Sequence, residues 1–272
     1  MDRIQKNTFT TALKKETSMP THESLRSKWI AAGYKSDMGS AIACCPPTNL
    51  STIRLYNLTS VQHALSNIEN QRIKVSRFAD LNDPFELLAA NFKEHKTRQV
   101  VRNWKDKSHS LMGLLCFAGD WSEPVMWSHY AEKHTGICLG FDVSRSTVQQ
   151  VSYQDDRILA ALSPTLTPDN LSEELQHQLL CTKSGGWRYE EEYRRFLSLN
   201  DASADGPLHF WPISGDIQLA EVILGPLCQE PLESVRQKVK QRFPSVAVFK
   251  SRLAFQSFKI VPDARTVRRT LK

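Results

Sequence analysis

Lys183-Ser-Gly-Gly-Trp-Arg-Tyr-Glu-Glu-Glu-Tyr-Arg-Arg-Phe196 is a stretch of fourteen residues that holds three consecutive carboxylates, three arginines and four aromatic side chains. The paired glycines near its start are predicted to form a loop, and the residues after them a strand. Alternate side chains of a strand share one face, so Glu190 and Glu192 are expected to stand side by side, with Arg188 and Arg194 flanking them. Neighbouring carboxylates raise each other's pKa and guanidinium groups lower it, as in acid/base sites. The alternative interpretation is a solvated charged face.

The composition is that of an ordinary globular chain. Its 272 residues are 40% hydrophobic and 24% charged, which suffices for a substantial core in one large domain or two small ones. The net charge of +6 permits an anionic ligand such as a dinucleotide or a nucleic acid without demanding one. Arg265, Arg268, Arg269 and Lys272 cluster near the C-terminus and are interpreted as a solvated tail.

The six cysteines give no support to zinc or thioredoxin-like chemistry, because no two of them form a Cys-x-x-Cys pair. Free thiols in apolar runs, such as Cys116, indicate a reducing compartment, and we expect a cytoplasmic protein. We see no signal-peptide pattern and no apolar run of the roughly 20 residues that span a bilayer, so no membrane partner is expected. The oligomeric state stays open.

Strands and helices alternate irregularly along the chain, which predicts an α+β fold with a mixed sheet and flanking helices. Residues 1–50 lack a sustained apolar period apart from one short predicted helix over 23–32, and we expect a mobile N-terminal arm there. Residues 51–272 are expected to form a single α+β domain. The predicted strands cover 53–57, 72–76, 111–117, 136–141, 148–153, 187–198, 220–225, 246–250 and 258–261. The predicted helices cover 60–68, 82–108 with interruptions, 123–133, 172–182 and 233–242.

A second dense patch, Met126-Trp-Ser-His-Tyr-Ala-Glu-Lys-His134, lies just before a predicted buried strand. Trp127 and Tyr130 are three residues apart, so on a helix they form one aromatic wall. Such a wall belongs either to the core or to a site that stacks on a flat ring such as nicotinamide or adenine. His129 is either a hydrogen-bonded structural histidine or a titratable site residue. Its spacing of five from His134 does not suit two metal ligands on one helical face, so no metal is predicted.

Two smaller features complete the candidate set. Asn82-Asp-Pro-Phe-Glu86 is interpreted chiefly as a turn that opens a helix, because Asn and Asp cap helices and Pro84 suits a first helical position. Arg54 and Asn57 are polar residues on the first predicted strand, where a core strand prefers apolar ones. The guanidinium group of Arg54 is therefore a candidate clamp for an anion or a ribose.

These motifs together resemble a known family. The motifs are Leu55-Tyr56, Asn82–Glu86, Met126–Ala131 followed by His134-Thr-Gly136, and Lys183-Ser184 followed by Trp187–Arg194. They occur in the order and spacing of a large bacterial family of domains of unknown function, the twenty-nine-seventy-one family. The resemblance covers roughly residues 53–262 and leaves the N-terminal arm outside. Membership of that family implies little assigned function.

The sequence also resembles the ADP-ribosyltransferase superfamily, which implies NAD as the substrate. Leu55-Tyr-Asn-Leu-Thr59 is similar to the opening of that fold, and Glu190-Glu191-Glu192 corresponds to its acidic strand. The chain departs from the pattern at Asn57, where a histidine is usual, and Arg54 is the candidate substitute. The resemblance implies an ADP-ribosyltransferase or an NAD glycohydrolase that acts on an unknown acceptor, as a bacterial toxin or a phage-defence effector.

The same resemblance implies roles for individual residues. Glu192 is expected to accept a hydrogen bond from the ribose and to stabilise positive charge as the glycosidic bond breaks, while Glu190 orients or deprotonates the acceptor. The middle polar position of the family corresponds to Ser128 or Tyr130. The predicted catalytic residues are Glu192, Glu190 and Tyr130. The residues predicted to contact NAD are Arg54, Tyr56, Asn57, Thr59, Trp127, Ser128 and His129.

The acceptor implied by this resemblance is a protein side chain, a nucleic-acid base or water. The rival hypothesis is a module without catalysis, which binds a protein partner or a single-stranded nucleic acid. In the nucleic-acid case Trp121, Trp127 and Trp187 stack on bases, and the carboxylates of the acidic stretch only neutralise nearby arginines. The two hypotheses differ in whether Glu192, Arg54 and Tyr130 converge on one cleft.

Overall fold

The structure of the chain is a computed structural model. It describes residues 49–91, 94–157 and 169–267, together with Pro47 and Thr167. The predicted helix over 23–32 and nearly all of the predicted N-terminal arm lie outside the described residues. The division into an arm and a single domain therefore stays a prediction.

The described residues form helices and strands in an irregular order, and the α+β prediction is confirmed. The helices are α1 (Val61–Glu69), α2 (His95–Leu111), α3 (Pro124–Tyr130), α4 (Glu173–Leu180), α5 (Leu232–Arg242) and α6 (Ala264–Val267). The first strands are β1 (Thr52–Thr59), β2 (Arg72–Val75), β3 (Met112–Ala118), β4 (Ile137–Ser144), β5 (Gln149–Gln150), β6 (Ser152–Gln154) and β7 (Thr182–Ser184). The later strands are β8 (Glu192–Ser198), β9 (Ser203–Asp205), β10 (Leu208–Pro212), β11 (Ile217–Leu224), β12 (Ala247–Leu253) and β13 (Ile260–Pro262).

The main sheet has eight strands in the order β13-β12-β11-β4-β1-β3-β8-β5. Within it β11 and β12 run parallel, whereas β1 is antiparallel to both β3 and β4, so the sheet is mixed as predicted. A smaller sheet joins β2, β10 and β9, and β6 pairs with β7. The main sheet therefore carries the beginning and the end of the described chain, with β1 near its middle.

The register of the sheet places one row of side chains across three neighbouring strands. Tyr56 of β1 pairs with Ala118 of β3, and Ala118 pairs with Glu192 of β8. Directly paired residues of antiparallel strands project their side chains to the same face. Tyr56, Ala118 and Glu192 therefore share one face, and Arg194 joins them because it lies two residues further along β8.

The two faces of the sheet are covered differently. On one face Leu55 and Phe141 form a single apolar cluster with Ala64 of α1 and Val235 of α5. α1 begins as predicted, because the Ser60 hydroxyl accepts a hydrogen bond from a backbone N–H of its first turn. On the other face Tyr56 packs in a cluster with Trp121, Trp127 and Ala131. This second face is the one that carries Glu192.

Two predicted elements differ from the structure. Residues 82–86 form a turn without an adjoining helix, and α2 begins only at His95. The Asp83 carboxylate accepts the N–H of Phe85, so this acidic side chain stabilises the turn itself instead of capping a helix. The strand predicted over 187–198 begins only at Glu192, because Gly185–Glu190 form a 3-10 helical turn. The short strands β7, β9 and β10 were not predicted.

Gly136, just before β4, is required by a close approach of backbone to backbone. A Cβ atom at this position would lie 2.2 Å from the carbonyl oxygen of Thr59 and 2.9 Å from the Cα of Ala131. Because both neighbours are main-chain atoms, Gly136→Ala is expected to lower the free energy of unfolding by about 1–3 kcal/mol. Urea denaturation measures this change. The control is Gly186→Ala, whose added Cβ meets nothing nearer than 4.0 Å, and equal midpoints for the two variants would contradict the prediction.

Candidate active site

Five charged side chains lie together beneath one end of β8, and we call them the buried ionic cluster. They come from the turn after β2, from β7, from the end of the 3-10 turn and from β8 itself. Their exposed fractions range from 0 to 8%, although charged side chains are rarely buried without partners. The members are Glu86, Lys183, Glu190, Glu192 and Arg194.

Lys183 is the centre of the buried ionic cluster. Its Nζ lies 2.6 Å from Oε2 of Glu190 and 3.0 Å from Oε2 of Glu192. A third carboxylate, that of Glu86, lies 3.6 Å from the same nitrogen. Burial by itself lowers the pKa of Lys183, but the three carboxylates outweigh burial and hold that pKa well above its ordinary value. Lys183 therefore stays a cation.

Arg194 binds two of these three carboxylates, those of Glu86 and Glu192. Its two terminal nitrogens donate to both oxygens of Glu86, at 2.6 and 3.0 Å. Its Nε and Nη2 donate to the two oxygens of Glu192, at 2.9 and 3.0 Å. A planar guanidinium group is suited to such paired contacts with carboxylates. Arg194 is fully buried, so these contacts replace its hydration shell.

Glu190 and Glu192 meet at Lys183 through a backbone turn and not through strand alternation. Glu191 between them has a left-handed conformation with a φ of 44°, which ends the 3-10 turn and starts β8. Arg188, expected beside the carboxylates, is instead 62% exposed and lies 4.0 Å from Asp155. The predicted proximity of the two carboxylates is thus correct, but the predicted geometry and the flanking by Arg188 are wrong.

The two carboxylates have opposite pKa shifts. Burial raises the pKa of Glu190 above its ordinary value, and the contacts with Lys183 and Tyr130 do not fully offset that effect. Burial also acts upward on Glu192, but Arg194 and Lys183 together outweigh it and hold its pKa below the ordinary value. Glu192 is therefore a fixed anion, whereas Glu190 is the member of the pair that exchanges a proton most readily.

Two tyrosines contact the carboxylate pair from outside the cluster. The Tyr130 hydroxyl of α3 donates a short hydrogen bond to Oε1 of Glu190. Burial and the Glu190 charge raise the pKa of Tyr130 well above its ordinary value, so this hydroxyl keeps its proton. The backbone N–H of Glu192 donates to the Tyr153 hydroxyl over 2.8 Å. These contacts fix the position of Glu190 and of the first residue of β8.

A cavity of about 490 Å³ opens onto the cluster. Its walls come from the end of β1, the first turn of α1, the turn around Asn82, the end of β3 and α3. Lys183, Glu190 and Glu192 form its charged wall. Cavities that hold small molecules usually measure about 300–1,000 Å³, so this volume suits a small ligand.

Seven of the ten predicted site residues line this cavity. They are Tyr56, Asn57, Thr59, His129, Tyr130, Glu190 and Glu192. His129 is exposed, and its ring stacks on Tyr189 of the 3-10 turn, with centroids 6.2 Å apart and planes inclined by 22°. The structure therefore brings the predicted carboxylates, Tyr130 and three residues of β1 together around one cavity.

The other three predicted residues lie elsewhere. Arg54 forms ion pairs with Asp142 and Glu221 on the sheet, which leaves no place for it as a clamp in the cavity. Trp127 is fully buried, and its indole N–H donates to the carbonyl of Trp121. Trp127 is therefore a core residue, and its predicted stacking on nicotinamide is wrong. Ser128 is exposed and does not line the cavity.

The tryptophans also decide one part of the rival hypothesis. Trp121 and Trp127 have no exposed surface, so neither can stack on a nucleic-acid base. Trp187 is half-buried, and the Lys183 Nζ lies 5.1 Å from the centre of its ring. The prediction that all three tryptophans stack on bases is therefore wrong.

The sequence analysis missed the residues that hold the carboxylates. Arg194 was predicted to flank the carboxylates, Lys183 was given no role beyond its place in a motif, and Glu86 was predicted to be part of a turn. The one signal for Glu86 was its place in the motif Asn82–Glu86, since its partner Arg194 is 108 positions away and no spacing along the chain relates the two. Asn82 itself lines the cavity.

Cys116 lines the cavity, and its thiol is not suited to be a nucleophile. Burial, together with the charge of Glu192, raises its pKa well above the ordinary value, although Arg194 acts in the opposite direction. Because the thiolate is the reactive form, a thiol with a raised pKa reacts slowly. The carboxylates remain the groups that can carry chemistry in the cavity.

Left-handed residues directly follow several segments that contribute to the site. Leu87 follows Glu86 with a φ of 63°, Glu191 separates the two carboxylates, and Glu132–His134 after α3 have φ values of 47, 55 and 73°. A left-handed conformation costs a residue other than glycine about 1–2 kcal/mol. Such strain persists where the surrounding structure over-determines it, which is frequent at functional sites.

The part of the chain that contains Tyr130 and most of the buried ionic cluster also matches a protein family. A family described as a protein of unknown function, DUF2971, matches residues 126–195. The matched stretch begins in α3 and ends in β8, so it contains Tyr130, Lys183, Glu190, Glu192 and Arg194. The resemblance to that family predicted from the sequence is thus confirmed over these residues. Comparisons with curated proteins and with solved structures found no match.

Within residues 49–91, 94–157 and 169–267, no three His, Cys, Asp or Glu side chains are grouped in a way that could hold a metal ion. No helix in this described part of the chain has both the length and the apolar character to cross a membrane.

Proposed function

We propose that the protein is an enzyme that breaks the N-glycosidic bond of NAD and transfers the ADP-ribosyl group to an acceptor or to water. The observation that carries this proposal is the pair Glu190 and Glu192, whose pKa values are shifted in opposite directions on the wall of one cavity. When the pKa of one carboxylate is raised and that of its neighbour is lowered, the first is suited to proton transfer and the second provides a fixed negative charge. The resemblance to ADP-ribosyltransferases names NAD as the nucleotide.

In this proposal the bond between C1′ of the ribose and the nicotinamide nitrogen breaks, and its electron pair leaves with nicotinamide. The ribosyl group then carries positive charge, which the carboxylates of the buried ionic cluster stabilise. A bond forms between C1′ and an oxygen or nitrogen of the acceptor. The proton of the acceptor goes to Glu190, the carboxylate that is poised to take it.

The other residues of the cavity position the reactants. Tyr130 and Lys183 each donate to Glu190 and so fix the orientation of its carboxylate. The exposed ring of His129 replaces Trp127 as the flat surface beside the nicotinamide. Asn57 and Thr59 offer polar groups to the ribose at the end of β1, where Arg54 was expected.

The proposal is tested by measuring NAD binding in a calorimeter and nicotinamide release by chromatography. Saturable binding of NAD together with nicotinamide release supports it, and free ADP-ribose as the second product identifies water as the acceptor. A panel of proteins and oligonucleotides, with labelled NAD, detects transfer to either class of acceptor. Folded protein that neither binds NAD nor releases nicotinamide with any member of the panel would overturn the proposal.

A further inference from the structure

The hairpin between β12 and β13 exposes unusually large apolar side chains. Phe258 is 97% exposed, Phe255 85% and Leu253 58%. The N–H of Ala254 donates to the carbonyl of Lys259 over 3.0 Å, which closes the hairpin and leaves residues 255–258 at its tip. Single exposed apolar residues are ordinary, but two phenylalanines on one short tip indicate a binding surface.

The sequence that forms and follows this hairpin is rich in basic residues. Residues 250–272 contain seven lysines or arginines and one acidic residue, so they carry a formal charge of +6, equal to the net charge of the whole chain. Four of the basic residues lie in the described part of this segment: Lys250, Arg252, Lys259 and Arg265. A basic segment of this kind favours a polyanion as the ligand.

One basic group of the hairpin stands close to an exposed ring. The guanidinium carbon of Arg252 lies 4.6 Å from the centre of the Phe255 ring. The side chain of Lys259 is 45% exposed and forms an ion pair with Glu123, and that of Arg265 in α6 is 88% exposed and forms an ion pair with Asp263. The hairpin and the helix that follows it thus offer exposed aromatic rings together with exposed basic groups.

We propose that the β12–β13 hairpin binds single-stranded nucleic acid, with bases stacked on Phe255 and Phe258 and phosphates beside Arg252 and Arg265. Proteins that bind single strands without a sequence preference combine such stacking with backbone contacts from basic side chains. A duplex offers no open base faces to the two rings. Gln256 and Ser257 lie between the phenylalanines at the tip, and these polar groups disfavour insertion into a lipid layer.

The hairpin is also coupled to the helix that borders the cavity. Lys259 forms an ion pair with Glu123, whose side chain caps the first turn of α3, and Ile260 donates its N–H to the carbonyl of Ser122. α3 is about 10 Å long, since a helix rises about 1.5 Å per residue. The proposed hairpin site uses none of the residues of the buried ionic cluster. A negative result in the binding test of the hairpin therefore leaves the proposed reaction untouched.

The test is the fluorescence anisotropy of a labelled single-stranded oligonucleotide of about 12 nucleotides, a length within the known site sizes for single strands. We expect the wild type to bind this strand more tightly than the duplex, and to lose affinity steeply between about 50 and 200 mM salt. The double variant Phe255→Ala/Phe258→Ala is expected to bind about tenfold more weakly or worse. Leu208→Ala, which removes a 40% exposed apolar side chain on β10, is the matched control and should bind as the wild type does.

Three outcomes would overturn this inference. They are no binding of the single strand by the wild type at low salt, unchanged binding by the double variant, and phenylalanine-dependent binding to phosphatidylserine vesicles without binding to the oligonucleotide. A thermal melt of each variant shows whether it is folded. Because both phenylalanines are at the tip of the hairpin, we expect the melting temperatures to agree.

Discussion

Glu190→Gln is expected to slow nicotinamide release by about a hundred- to a thousandfold while the protein stays folded. Glutamine keeps the volume of the side chain and can still hydrogen-bond with Lys183 and Tyr130, but it cannot take a proton from the acceptor. Glu191→Gln is the matched control, because this neighbouring carboxylate is exposed and does not line the cavity. Glu192→Gln is a less selective change, since it also removes the partner of a buried arginine.

Glu190→Gln is also expected to change how the rate of nicotinamide release depends on pH. Glu190 acts in its ionised form, so the rate of the wild type should rise with pH through the pKa of Glu190. Burial raises that pKa above the ordinary value of 4.5, so the midpoint of this rise is expected above 4.5. Glu190→Gln should lose this limb, and the Glu191→Gln protein should keep it. An equal loss of rate in the two variants, or a fully active Glu190→Gln protein, would contradict the assignment.

Arg194→Leu is expected to lower the free energy of unfolding by about 3–5 kcal/mol, because it leaves two buried carboxylates without their main partner. The relevant contacts are those of Arg194 with Glu86 and Glu192, whose exposed fractions are 1 and 4%. Urea denaturation at neutral pH measures the change. Arg188→Leu is the control, because the side chain of Arg188 is 62% exposed and an exposed ion pair contributes about 1 kcal/mol at most.

A second change separates charge from packing in this prediction. The double variant Arg194→Leu/Glu86→Gln removes one of the two stranded charges, so it should recover part of the stability lost in Arg194→Leu. A double variant less stable than Arg194→Leu would show that shape, and not charge, dominates at this position. Arg194→Leu with the same urea midpoint as the Arg188 control would contradict the prediction outright.

The sheet was predictable from the sequence where burial gives a strand a clear apolar pattern. The central strands β1, β3, β4 and β11 were found in this way, and α1 was found from a predicted cap at Thr59 or Ser60, of which the structure shows Ser60. β9 and β10 were missed because they are short and mostly exposed, so their residues carry no alternation to detect. β10 pairs with β2 and β9 pairs with β10, and such tertiary pairing is invisible to a local pattern.

The candidate site was only partly predictable. The carboxylates and Tyr130 stood out because charged and aromatic residues were concentrated in two short segments. Their true arrangement depends on the left-handed Glu191, and no local rule places a glutamate in that conformation. Glu86 was missed for a different reason: its contact with Arg194 spans 108 positions, and spacing along the chain carries no information about such a pair. Trp127 followed the simpler expectation of a core aromatic.

The buried ionic cluster contains three carboxylates and two cations, so its charges do not cancel unless one proton is bound. Within the pair of Glu190 and Glu192, the raised pKa of Glu190 makes it the carboxylate that takes up such a proton first as the pH falls. A ligand with a single positive charge, such as the nicotinamide ring of NAD, can balance the cluster in place of the proton. We therefore expect cation binding in the cavity to favour the release of a proton from Glu190, and a rise in pH to favour cation binding.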